Sequence, residues 1–210
     1  GASLSNERDL NRLLEKITIA AKAVTRADGG TLYLLSEDKR HLHFEIVRTE
    51  SLNIAFGGTS GNPVSGKFPD LPLYRDDGSP NDTMVAVHAA ITGKTVNIAD
   101  AYVARGFDFS GTRKFDERTG YRSQSFLTVP MRNHEGEIIG VLQLINAQMP
   151  EHNVVVPFSE ADQRLAESLA SQAAIALTNR QLLHQLEVLF ESFIRLINSA
   201  IDDKSPYTGE

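Results

Sequence analysis

At 210 residues, with 41% hydrophobic and 23% charged residues, the chain has the make-up of one globular domain with helical extensions. A formal charge of −6 and no Lys/Arg-rich run argue against nucleic acid or an anionic membrane surface as partner, since both need a basic footprint. The absence of cysteine excludes disulfides, thiolate catalysis, Cys-ligated zinc and thioether-linked chromophores.

No stretch approaches the ~18 apolar residues of a membrane-spanning helix, and Gly1 to Asp9 lacks the layout of a signal peptide, so the expected compartment is the cytoplasm. Leu10, Leu13, Leu14, Ile17, Ala20, Ala21 and Val24 recur at three and four residues, which predicts a first helix ended by Asp28-Gly29-Gly30. Thr31 to Leu35 and His41 to Val47 are β-rich runs separated by polar Ser36 to Arg40, a hairpin or pair of neighbouring strands. From Gly57 to Asn81, Gly and Pro punctuate every few residues; a loop this long inside a compact domain is expected to serve as a lid over a pocket.

Asn81 to Ile91 reads as a helix stopped by Gly93, followed by a short strand at Val96 to Ile98. Ser125 to Met131 and Ile138 to Ile145 are apolar strands joined by a turn over Asn133 to Glu137, with Gly136 in it. Ser159, with Asp162 three residues on, opens a final helix that continues without proline to about Asp202. Leu165, Leu169, Ala173 and Ala176 are expected to pack on the domain. Beyond them Leu183, Leu186, Phe190, Phe193, Ile197 and Ile201 repeat at alternating three and four residues, as in a dimeric coiled coil. The alternative is a helix folded back on its own domain. The order of elements predicts an α+β fold, an antiparallel sheet with helices on one side.

Three blocks carry a resemblance: Thr95-Val-Asn-Ile-Ala-Asp-Ala-Tyr102, Phe115-Asp-Glu-Arg-Thr-Gly-Tyr-Arg-Ser123 and Gly140-Val-Leu-Gln-Leu-Ile-Asn146. In this order they resemble the central half of GAF domains, the sensor modules of cyclic-nucleotide phosphodiesterases, phytochromes and bacterial regulators. The resemblance implies the GAF fold, with a central antiparallel sheet of about six strands, flanking helices and a long C-terminal helix, over residues 1–180. It also implies a small-molecule pocket, its ligand unidentified and nucleotides a candidate class, with no catalytic site in this chain. Carried onto this sequence, the ligand-contacting positions are Asp116, Thr119, Ser123 and Gln143. Short hydroxyls donate to ligand oxygens, and a polar strand residue in a closed pocket orients a base edge. The bland alternative makes Thr119 and Gly120 a turn ahead of a strand, Asp116 its cap and Tyr121 packing.

Cyclic-nucleotide GAF domains also carry an Asn-Lys…Phe-x-x-x-Asp-Glu signature whose Lys and Asp pair to hold the pocket closed. Here the matching residues are Asn146, Ala147, Phe158, Asp162 and Gln163. Alanine cannot form that ion pair, so neither an occupant nor a cofactor is named. Leu189-Phe-Glu-Ser-Phe-Ile194 and Ala200-Ile-Asp-Asp-Lys-Ser-Pro-Tyr-Thr-Gly209 look like the start of a bacterial HD-GYP phosphohydrolase domain, the kind that hydrolyses cyclic di-GMP. The resemblance implies a helical linker or coiled coil over 181–204, holding a homodimer together. That enzyme would begin at 205–210, with its metal-binding His-Asp pair and Gly-Tyr-Pro beyond the sequence.

Two readings of function follow: a sensor whose ligand biases the long helix, and hence the enzyme after it, or a dimerisation module with a vestigial pocket. An enzymatic reading fails, because the free methionine sulfoxide reductases that share this fold need cysteines. Gly93-Lys94-Thr95 lacks the earlier glycine of a phosphate loop, which would fall at His88. His41 and His43 lack a third ligand for a metal, and Asp76, Asp77 and Asp82 do not fit a calcium loop.

Overall fold

The computed structural model describes residues 2–204. In chain order the elements are α1 (Ala2–Thr25), β1 (Ala27–Leu35), β2 (His41–Thr49), β3 (Ile54–Phe56), β4 (Leu71–Pro72), α2 (Val85–Thr92), β5 (Val96–Ile98), α3 (Ser110–Thr119), β6 (Phe126–Arg132), β7 (Ile138–Gln148), β8 (Val155–Val156) and α4 (Glu160–Lys204). The strands form one antiparallel sheet in the order β3-β2-β1-β7-β6-β5, with the two-residue strands β4 and β8 on β2 and β7. The expected α+β architecture is present.

Helices lie on both faces of this sheet rather than on one. Leu32 and Ile46 are fully buried on the α1 side with Leu14 and Ile17, while Tyr33, Leu42 and Val141 pack with Val87 and Ala89 of α2 on the other. The alternation of each strand dictates this: β1 and β7 are apolar on both faces, and a face left bare would expose that surface to water.

Asp28-Gly29-Gly30 does not terminate α1. The helix ends at Thr25, and Arg26 turns the chain at φ 56°, so Asp28 to Gly30 lie inside β1. The glycines answer to packing instead: a Cβ on Gly30 would meet Lys22 Cγ at 2.9 Å, because α1 crosses close above that strand.

Further departures have local causes. α2 begins at Val85, not Asn81, because the Asn81 amide hydrogen-bonds Leu73 O (2.8 Å) and its side chain Pro72 O (2.9 Å), which closes the preceding loop. Its stop is as expected, with Gly93 in the left-handed region at φ 68°. On α4 the buried side chains through Ala174 are Ala166, Ala170, Ala173 and Ala174, whereas Leu165 is 51% exposed and Ala176 is also exposed. Small side chains let this helix approach closely, so the packed stripe sits one residue from the leucine stripe. The start of α4 is the expected reciprocal cap, Asp162 N–H to Ser159 Oγ (3.0 Å) and Ser159 N–H to Asp162 Oδ2 (3.2 Å).

The 57–81 segment is pinned along β2. Phe68 packs tilted against Phe44 and edge-on against Phe56, Leu73 is buried, and His43 Nδ1 pairs with Asp70 at 2.7 Å. At its root Arg48, buried in β2, pairs with Glu15 of α1 and donates to Phe56 O and Gly57 O. The chain forms two compact units, one through Ala174 and a helical one from Ile175; the HD-GYP-like stretch at 205–210 lies outside the described residues.

Candidate functional site

The candidate site is built around α3, an element with no apolar periodicity to announce it. Asp116 is its one buried residue, and Gly120 caps its end at φ 76° with its N–H on Asp116 O (2.8 Å). The turn reading for Thr119 and Gly120 thus becomes a helix terminus. Thr119 is exposed; its hydroxyl donates to Phe115 O (2.7 Å) and accepts the Tyr121 N–H (3.3 Å).

Asp116 and Ser123 are brought together. The carboxylate accepts the Ser123 N–H (2.8 Å), the Ser123 hydroxyl (2.8 Å) and the Tyr102 hydroxyl. Both partners are nearly sealed, Asp116 at 5% and Ser123 at 2% exposure. A buried carboxylate is tolerable only with such donors around it. Tyr102 titrates higher than an ordinary phenol because its proton is held by Asp116.

Next to this cluster, Asn146 clamps the same chain segment from β7. Its Oδ1 accepts the N–H groups of Gln124 (2.8 Å) and Ser125 (3.1 Å), and its Nδ2 donates to Arg122 O (2.8 Å). It holds φ 61°, a conformation asparagine tolerates better than most residues. Tyr121 is more than packing: its hydroxyl donates to Asp28 Oδ2 (2.7 Å), a carboxylate that also accepts the Ser51 N–H and hydroxyl. Burial first, and the bond to Asp28 second, push the Tyr121 phenol far up.

Gln143 sits apart from these residues, in the middle of β7. Leu142 and Leu144 are fully buried, and Gln143 lies in a cross-strand row between Thr31 and Thr128, accepting the Thr128 hydroxyl at 3.2 Å. Two apolar clusters border that row, Tyr33 and Val141 on one side and Phe126 with Ile145 on the other.

Where an Asn-Lys signature would place an ion pair, Ala147 is buried and its N–H binds Ser125 Oγ (3.2 Å). Asp162 is spent on the α4 cap. Gln163 accepts from Asn97 Nδ2 (3.2 Å) and donates to Glu167 Oε1 (2.8 Å), so neutral amides occupy the seam.

A surface hollow of about 230 Å³ lies against α3, lined by Tyr102, Arg113, Asp116, Glu117, Gly120 and Tyr121. Arg122 stacks on the Tyr102 ring at 4.1 Å and Arg113 at 5.6 Å. Another of about 250 Å³ lies by Asp28, Glu50 and Met149. No residue of 57–81 lines either one, so the expected lid segment borders neither hollow. Both fall short of the ~300–1,000 Å³ of typical small-molecule sites. Among the described residues no group of three or more metal-binding side chains assembles, and no helix is long and apolar enough to cross a membrane.

Sequence reasoning missed Tyr102 and Asp28 as members of this network. Tyr102 stood only as the end of the first block and Asp28 only in a helix stop, and pairing across 14 and 93 residues has no local signature.

Comparison with known proteins places this arrangement. The family model described as GAF domain matches residues 9–177. A dual 3′,5′-cyclic-AMP and -GMP phosphodiesterase 11A of Takifugu rubripes is 30% identical over 179 residues, covering 85% of this chain and 18% of that protein. A cGMP-specific 3′,5′-cyclic phosphodiesterase of Drosophila sechellia is 27% identical over 184 residues, covering 85% of this chain and 14% of that protein. The chain thus spans less than a fifth of these relatives. Among solved structures, the GAF domain of a phosphoenolpyruvate-protein phosphotransferase from Coxiella burnetii aligns at TM-score 0.58 and 13% identity, over 88% of this chain and 94% of that one. A GAF domain/HD domain protein from Geobacter sulfurreducens aligns at TM-score 0.56 and 16% identity, over 85% and 98%. These structural likenesses establish the fold.

Proposed function

The chain belongs to the GAF domain family, and on that basis we propose that it is a cytoplasmic sensor whose small-molecule ligand, of the nucleotide class, controls a following HD-GYP-type phosphohydrolase. The observation that carries the reading is the set of bonds by which Asp116, Ser123, Tyr102 and Asn146 hold α3 and the strand after it in place. The α3 hollow, about 230 Å³ and open at the surface, is smaller than typical small-molecule sites of ~300–1,000 Å³. In this reading a bound nucleotide displaces α3, so binding and the position of α3 are energetically linked.

In this reading Asp116, Thr119 and Ser123 exchange bonds within the chain for bonds to the ligand, and Gln143 orients a base edge from the sheet. The helix over 181–204 joins two protomers and carries the change to the enzyme. Support comes from the phosphodiesterase relatives, whose names place them among enzymes of cyclic nucleotides.

Native mass spectrometry of the purified chain tests this reading. A dimer carrying a discrete extra mass supports it and identifies the ligand; a dimer that takes up no nucleotide from a panel including cAMP, cGMP and cyclic di-GMP refutes the sensor. That result favours a dimerisation module with a vestigial pocket, a reading motivated by the buried Ala147 and the neutral Gln163. For signalling, spin labels on the 181–204 helices in the full-length protein must report different distances with and without the bound nucleotide.

A further inference from the structure

The row of residues that contains Gln143 crosses the whole sheet. Strand pairing carries it from Val96 on β5 through Thr128, Gln143, Thr31 and Val47 to Phe56 on β3. Directly opposed residues share a face, so Gln143 and Phe56 lie on one side of the sheet, three strand spacings of ~4.8 Å apart. The pairing of β1 with β2 skips Glu45, which brings Phe44 onto that face as well. The Phe44 ring lies 4.6 Å from that of Tyr33 and 5.1 Å from that of Phe68. Phe68 also meets Phe56 edge-on at 5.3 Å, so the β3 end of the row is covered by a side chain of the 57–81 segment.

That stretch is fixed at both ends and lightly held between them. At its start Arg48 donates to Phe56 O and Gly57 O, Glu15 accepts the Thr59 hydroxyl (2.6 Å), and a Cβ on Gly57 would collide with Glu45 O. At its end Leu71 pairs with Leu42, and Leu73 is buried. From Gly61 to Asp70 every residue except Val64 and Phe68 is exposed. Two contacts hold this middle down. One is the Phe68 ring, aimed by a turn in which the Lys67 and Phe68 N–H groups donate to Val64 O at 3.1 Å. The other is the His43–Asp70 pair, whose side chains are 41% and 46% exposed. An exposed ion pair stabilises little, and a segment with few buried contacts opens locally at low free energy. The Arg48–Glu15 pair at the root, at 10% and 16% exposure, is a far firmer anchor.

We propose that residues 61–70 are a latched gate: when Asp70 leaves His43, Phe68 withdraws from Phe44 and Phe56 and opens the Gln143 row to a ligand from the β3 edge of the sheet. The inference rests on the reading of Gln143 as a ligand-facing residue. It gives the long excursion a role that neither surface hollow supplies, since its one inward aromatic side chain meets the row and not the hollows. Two motions are thereby separated. The gate governs entry from one edge of the sheet, and α3 responds to what has entered.

Because the chain has no cysteine, a single introduced thiol reports access to the row without any ligand. Thr31, 7% exposed and paired with Val47, is the position for it, and V47C is an independent second thiol should T31C fail to fold. Reaction of the full 210-residue protein with 5,5′-dithiobis(2-nitrobenzoate) is followed by absorbance, with the thiol alone and combined with D70N, F68A or D116N. D70N breaks the latch while removing nothing from above the row, and should speed labelling about 2–5-fold, the factor an exposed ion pair corresponds to. F68A removes two aromatic contacts and should speed it about tenfold or more. D116N, which loosens α3, should leave the rate unchanged, and circular dichroism should show the same fold in all. Labelling that ignores D70N and F68A overturns the gate, and if D116N alone speeds it, entry lies at α3. A response to F68A without one to D70N also overturns it, because Phe68 then only shields the row. The sensor reading is judged separately, by nucleotide uptake in native mass spectrometry: the expected labelling with no nucleotide bound upholds the gate and refutes the sensor.

Discussion

Replacing Asp116 by alanine and by asparagine separates the charge of the α3 hub from its hydrogen-bonding shape. Alanine removes the acceptor for three donors and leaves the Ser123 N–H, on a residue 2% exposed, without a partner. An orphaned buried donor costs about 1–3 kcal/mol, and losing the bonds to a charged acceptor brings the total for D116A to about 3 kcal/mol. Asparagine can keep its oxygen on the Ser123 N–H and the Tyr102 hydroxyl, and turn its NH₂ toward Ser123 Oγ, which accepts. D116N should therefore cost only about 1 kcal/mol. At roughly 2–4 °C per kcal/mol for a chain of this size, thermal melting should place D116A about 6–12 °C below wild type and D116N about 2–4 °C below it. Equal losses in the two variants, confirmed by urea titration with unchanged slope, would refute the hydrogen-bond account and leave charge as the determinant.

Other expectations follow from the same geometry. Asn146→Ala should destabilise by about 3 kcal/mol through lost clamps and a strained backbone, and Asn146→Gly by about 1 kcal/mol less because φ 61° suits glycine; denaturant unfolding compares them. Burial raises the Glu15 carboxyl, but the Thr59 hydroxyl and Arg48 outweigh it and hold the group below its ordinary 4.5. The stability it contributes is present above that value and lost as pH falls through the folded pKa, so E15Q should flatten the acid limb of a melting-temperature profile below about pH 4.5. E15Q should also cost about 3 kcal/mol at neutral pH, because Arg48 is left buried without its countercharge. Burial also raises the phenols of Tyr33 and Tyr121, and the bond to Asp116 that of Tyr102, so three of the five tyrosines should resist deprotonation at pH 10. Their stabilisation is complete below pH 10 and fades above it; the tyrosinate absorbance should appear with unfolding, and a simple titration of all five near pH 10 would contradict it.

What the amino-acid sequence determined alone is what short-range chemistry controls. β-rich and apolar runs marked the bodies of β1, β2, β6 and β7, Gly93 stopped α2, Ser159 and Asp162 began α4, and three motif blocks carry the family resemblance. α3 was illegible, because a helix of SGTRKFDERT buries one carboxylate and no apolar stripe; its stability comes from partners at Tyr102 and Ser123 rather than from periodicity. The roles of Asp28 and Asn146 were decided by tertiary structure for the same reason: each satisfies donors from remote parts of the chain. Asp28-Gly29-Gly30 is the sharpest case. Locally it reads as a turn, and only the close crossing of α1 over β1 explains why glycine stands inside a strand. Local propensity acts over a few residues, whereas burial and hydrogen-bond satisfaction act across the whole fold, and at these positions the long-range terms are the larger.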